Sequence, residues 1–129
     1  MLRDPLRLLA GAIVLVAAVA SVHALDARFE RADADNALRV VRTFRPPGAP
    51  EALPDRIARA HRVRPAALRW RARVTSSVYG HVRVTCEVPG VSSYRFDVDL
   101  GRVAIHPADA ATRRLLAEPV SANDRRSPR

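Results

Sequence analysis

Three runs of this chain alternate between apolar and polar residues, and that rhythm limits the fold more than any other feature. Leu68, Trp70, Ala72 and Val74 alternate with Arg69, Arg71, Arg73 and Thr75. Val82, Val84, Cys86 and Val88 alternate with His81, Arg83, Thr85 and Glu87, and Tyr94, Phe96, Val98 and Leu100 with Arg95, Asp97 and Asp99. Successive side chains of an extended chain point to opposite sides, so each run reads as a strand with one buried and one wet face. A short fourth strand is expected over residues 102–106, with Val103 and Ile105 inward.

Turn residues suggest the pairing, since apolar residues must face apolar ones. A three-residue loop Val78-Tyr79-Gly80 sets Val74 against Val84, Ala72 against Cys86 and Trp70 against Val88. The Pro89-Gly90 turn sets Cys86 against Phe96 and Val84 against Val98, and a Leu100-Gly101 turn sets Val98 against Val103 and Phe96 against Ile105. On the outer face this register matches Arg71 with Glu87, Glu87 with Arg95, Arg83 with Asp99 and Asp99 with Arg102. Arg69 and Arg73 stay unpaired on an edge strand, where exposed charge discourages extension of the sheet.

The sheet is preceded by helical spacing. Phe29, Ala32, Ala37, Val40, Val41 and Phe44 place most of their side chains on one face of a helix over 26–44, which the Pro46-Pro47-Gly48 stretch stops. A second helix is expected from Glu51 or Pro54 to about Arg62, with Leu53 and Ile57 inward and Arg56, Arg59 and Arg62 outward. A short helix follows the sheet from Pro107-Ala108-Asp109 to about Ala117. The fold class is therefore α+β: an N-terminal apolar membrane helix, one or two helices packed on a four-stranded antiparallel meander, and a short C-terminal helix. Residues 1–25 form the membrane segment, 26–117 a small α+β domain and 118–129 a disordered basic tail.

Leu8 to Val22 is an unbroken apolar run of 15 residues, 18 when His23 to Leu25 are counted, behind a short basic start with Arg3 and Arg7. That is the layout of an export signal, and Val22-His23-Ala24 offers a cleavage site after Ala24, which would release a secreted or periplasmic protein. Asp4-Pro5 reads as a helix start, and no Gly or Pro separates the run from the following helix, which favours a retained anchor. The expected placement is a single N-terminal span with the C-terminal domain outside the cytoplasm, although Arg28, Arg31, Arg39 and Arg42 lie on the other flank.

The formal charge is +9, and all 22 basic residues are arginine, a sign of codon bias before it is a sign of function. Between Arg56 and Arg83, however, eight arginines occur with no Asp or Glu. Arg56, Arg59, Arg62, Arg69 and Arg73 are the candidate residues for an anionic surface, with lipid head groups or an envelope protein as partner. Nucleic acid is not expected, because the few aromatics mostly face inward and leave little to stack on bases. The single Cys86 falls on the apolar side of its strand, which makes it a small buried hydrophobe.

No cofactor is implied. His23, His61, His81 and His106 are too scattered for a local metal motif, and Ser76-Ser77 and Ser92-Ser93 sit in or near turns without a glycine elbow. Asp97 and Asp99 share a face among arginines, as ion pairs would. The expectation is a non-enzymatic, membrane-anchored or exported envelope protein with a small Arg-rich binding domain. The alternatives are a structural subunit of a helix-packed membrane assembly, or a small extracytoplasmic enzyme built on His81, His106, Asp97 or Asp99. In outline the helix-then-meander order is similar to pilin-like subunits, without their glycine cleavage site and following glutamate, and to a cystatin-type layout.

Overall fold

In the computed structural model, residues 5–118 are described; Asp4 of the expected helix start and the expected tail beyond Glu118 lie outside them. The chain divides into two compact units, Met1–Ala32 and Asp33–Arg129. The architecture is α+β, as its alternating and helical spacings require.

Helix α1, Pro5–Thr43, runs without interruption across the Ala24–Leu25 bond. It is rich in Ala, Leu and Val, and after Gly11 it contains neither Gly nor Pro, so nothing in the backbone stops it. Its N-terminal stretch is long and apolar enough to span a membrane or to act as a signal sequence. In the first unit Leu8, Val14 and Val16 are exposed, and so is Phe29, which spacing alone had placed inward with Ala37 and Val41.

In the second unit the last turns of α1 contribute Ala37 and Val41, both fully buried. After Pro46 the chain enters α2, Leu53–His61, which starts with Pro54 in its first turn and ends on Arg62 in the left-handed conformation (φ 54°). The Val63 N–H reaches back to the Ala58 carbonyl at 2.9 Å, closing the helix in the manner usually given to glycine. A 3-10 turn, Pro65–Ala67, leads into the sheet.

The four strands are β1 Arg69–Ser76, β2 His81–Val88, β3 Ser92–Asp99 and β4 Ala104–Pro107, paired antiparallel in the order β1-β2-β3-β4. Val82, Val84, Cys86, Val88, Tyr94, Phe96 and Val98 share one core with Leu53 and Ile57 of α2, Ala37 and Val41 of α1, and Leu115 of α3, Ala110–Ala117. Asp109 caps α3, accepting from the Thr112 N–H at 2.7 Å.

Every pairing differs from the sequence-based register by two residues. Trp70 faces Cys86, Ala72 faces Val84 and Val74 faces Val82, with a bulge between Val74 and Ser76. Val84 faces Phe96 and Cys86 faces Tyr94, while Val98 faces Ile105. A shift of two keeps each inward residue inward, so apolar matching cannot tell the two registers apart. Loop geometry decides. The β3–β4 loop spans Leu100 to Val103 rather than two residues, and Val103, expected inward, is exposed at a left-handed φ of 51°.

Candidate functional site

The outer face of the sheet carries a cluster of charged residues, arranged in rows fixed by the register. One row holds Arg73, Arg83, Asp97 and His106; the next holds Arg71, Thr85 and Arg95; a third holds Arg69, Glu87 and Ser93. Arg83 donates from Nε to Asp97 Oδ1 at 2.9 Å and from Nη2 to Oδ2 at 3.3 Å, a two-point match that raises its pKa, the hydrogen bond contributing first and the carboxylate charge next. Its expected partner, Asp99, is instead held by the Arg102 N–H at 3.1 Å, with the His81 imidazole 3.6 Å away and the Arg102 guanidinium at 4.0 Å. That backbone N–H is the main reason the Asp99 pKa lies below its ordinary value. Arg71 reaches Glu87 diagonally at 3.6 Å, as expected, whereas among the described residues Arg69, Arg73 and Arg95 make no ion pair.

The five candidate arginines are not brought together. Arg56, expected outward, is buried and donates to the Glu118 carbonyl at the end of α3. It stands three residues from Leu53 on a nine-residue helix, close enough to the apolar stripe for its stem to be covered. Arg59 pairs with Glu51, and Arg62 is exposed beyond the helix end. Because α2 packs on the inner face of the sheet, these residues are separated by the core from Arg69 and Arg73 on the outer face. Only the β1 arginines belong to one continuous surface.

Thr75, His81, Arg83, Asp97, Asp99 and His106 line a shallow basin of about 360 Å³ on the same face. Its carboxylates are engaged by Arg83 and by the Arg102 backbone, and the Thr75 hydroxyl donates to the His81 carbonyl at 3.1 Å. Among the described residues no group of three or more His, Cys, Asp or Glu could hold a metal ion. Cys86 is fully buried, and burial pushes its thiol up to about 12, far from the reactive range.

One polar pair escaped the sequence. His61 Nε2 and the Tyr94 hydroxyl are 2.6 Å apart, linking α2 to β3 beneath the sheet. No spacing could signal it, since it exists only once the helix lies on the strand. No protein-family model, curated protein or solved structure matches this chain.

Proposed function

We propose that this is a non-enzymatic envelope protein, anchored by α1, whose second unit is a binding domain held outside the cytoplasm. The observation that carries the reading is the uninterrupted helix Pro5–Thr43, whose Leu8 to Val22 side chains are exposed and lack any protein partner among the described residues. Water does not favour such a surface; hydrocarbon does. The 18 residues from Leu8 to Leu25 rise about 27 Å as a helix, close to the ~30 Å hydrocarbon core. The lack of Gly or Pro between Leu8–Val22 and the following helical residues, apart from Gly11 within the run, favours retention over cleavage, and Arg3 and Arg7 support an N-terminus inside.

Binding, rather than chemistry, is supported by what the domain presents. The Glu87, Asp97 and Asp99 carboxylates are drawn into ion pairs, His61 contacts Tyr94, the thiol is buried, and Arg69 and Arg73 on β1 are exposed without an ion pair among the described residues. Alkaline phosphatase, which is active only outside the cytoplasm, can be fused after Arg129 of the full chain. High activity in intact cells is the expected result. An inactive enzyme together with a fluorescent cytoplasmic reporter at the same position would reverse the proposed orientation.

A further inference from the structure

The two edges of the sheet are finished differently. On one side β4 is four residues long and ends at Pro107. Past it, α3 covers β3: the Arg95 N–H donates to Thr112 Oγ1 at 2.9 Å, and the Ala108 N–H donates to the Arg95 carbonyl, also at 2.9 Å. Shortness, proline and a covering element are common means of closing a sheet edge. β1 has none of these three; what guards it is a row of exposed arginines, which repels another basic edge but not an acidic strand, and a bulge between Val74 and Ser76. The strand is eight residues long, contains no Gly or Pro, and pairs with β2 alone. Among the described residues no backbone hydrogen bond reaches it from outside the sheet.

Both faces of β1 are also incomplete. On the inner face Trp70, Ala72 and Val74 are only half-buried, whereas Val82, Val84, Cys86, Phe96 and Val98 on the neighbouring strands are at most 2% exposed. On the outer face Arg69, Arg71 and Arg73 are all exposed, and Arg73 stands opposite Arg83 instead of a carboxylate.

We propose that β1 is the docking edge for an extended acidic segment of a partner protein, added as a fifth strand. Its carboxylates would face Arg69, Arg71 and Arg73, and the apolar side chains between them would cover Trp70, Ala72 and Val74. Main-chain hydrogen bonds supply affinity in such an addition, and the alternating side chains supply selectivity. A second copy of this chain does not fit the role. Pairing β1 with β1 while keeping both apolar faces inward sets arginine opposite arginine. Residues 119–129, with three Arg and one Asp, carry the wrong charge as well. The inference rests on reading residues 33–118 as a binding module and is independent of how the chain is anchored, so the fusion experiment above and the one below fail separately.

Trp70 is the only tryptophan in the chain and lies on this edge, so its fluorescence reports occupancy directly. The full-length protein in neutral detergent is titrated with a blocked peptide of alternating Glu and Val. The expected result is a saturable blue shift of Trp70 emission. It should be absent with a Lys/Val peptide and with a Glu/Val peptide N-methylated along one edge. Binding to a variant carrying Arg69→Glu and Arg73→Glu should be roughly tenfold weaker. No shift with the Glu/Val peptide, or equal binding of the N-methylated form, would overturn strand addition. A shift produced by phosphatidylglycerol vesicles but not by the peptide would likewise overturn it, in favour of a lipid-facing surface.

Discussion

Arg73 lies directly opposite Arg83 in the β1–β2 register, and Arg83 turns away from it to Asp97 on β3. The same face thus holds one satisfied guanidinium and, beside it, one that repels it. Like charges directly opposite each other weaken a sheet. A surface that is electrostatically unfavourable in the free protein is one that an acidic partner can relieve.

Removal of Arg73 should therefore help the isolated protein. Arg73→Thr is expected to raise the thermal midpoint slightly, and Arg83→Thr to lower it by leaving Asp97 without its partner. Calorimetry at low and at 1 M salt checks this, because screening at a ~3 Å Debye length should shrink both differences. A lowered midpoint for Arg73→Thr would show that its aliphatic stem matters more than its charge.

Val103 adopts a left-handed backbone that β-branched residues avoid, and it stays 69% exposed, so little burial offsets that conformation. That conformation costs roughly 1–2 kcal/mol, of which glycine would return part to its own chain entropy. Val103→Gly is expected to gain about 0.5–1 kcal/mol in urea unfolding. An unchanged or lower midpoint would mean the loop is not strained at Val103.

The buried Cys86 thiol should give the domain an alkaline limit. With its pKa pushed from 9.0 to about 12, the folded state keeps a proton that the unfolded state loses, so stability is full below pH 9 and falls as pH rises toward 12. The slope is about 1.4 kcal/mol per pH unit for a single group. Cys86→Ala should be less stable at pH 7 yet lack this part of the slope, which separates it from tyrosine ionisation. Native Cys86 should also resist alkylation until the protein unfolds.

Asp99 sets the opposite limit. Its folded pKa lies below 3.8, chiefly because the Arg102 N–H binds the carboxylate, so its contribution is present above pH 3.8 and is lost as pH falls through the lower folded value. Asp99→Asn should flatten the acid limb of a stability–pH curve in that window. An unchanged limb would assign acid sensitivity to other carboxylates.

The rhythm of two placed β1, β2 and β3 with the correct inner face, because burial on one side leaves a mark at each residue. For the short β4 it set Val103 inward, whereas the structure leaves that residue exposed in the preceding loop. Pairing left no such mark: Cys86 opposite Phe96 and Cys86 opposite Tyr94 satisfy the same apolar rule, and the choice depends on loop geometry such as the left-handed Val103. Arg56 was misplaced for a different reason. Its partner is a carbonyl at Glu118, 62 residues away, which reaches α2 only after α3 has docked. Of the candidate surface, Arg69 and Arg73 were legible as unpaired edge charges, but the open state of that edge was visible only by contrast with Thr112 and Ala108 closing the other.

The most direct test of the proposed anchoring is the mass of the mature protein after expression of the full chain in a bacterium, taken with its partition between membrane and soluble fractions. Retention of α1 requires the intact 14.2 kDa chain in membranes after an alkaline carbonate wash. A soluble species that begins at Leu25 would contradict it and leave a released domain in place of an anchored one.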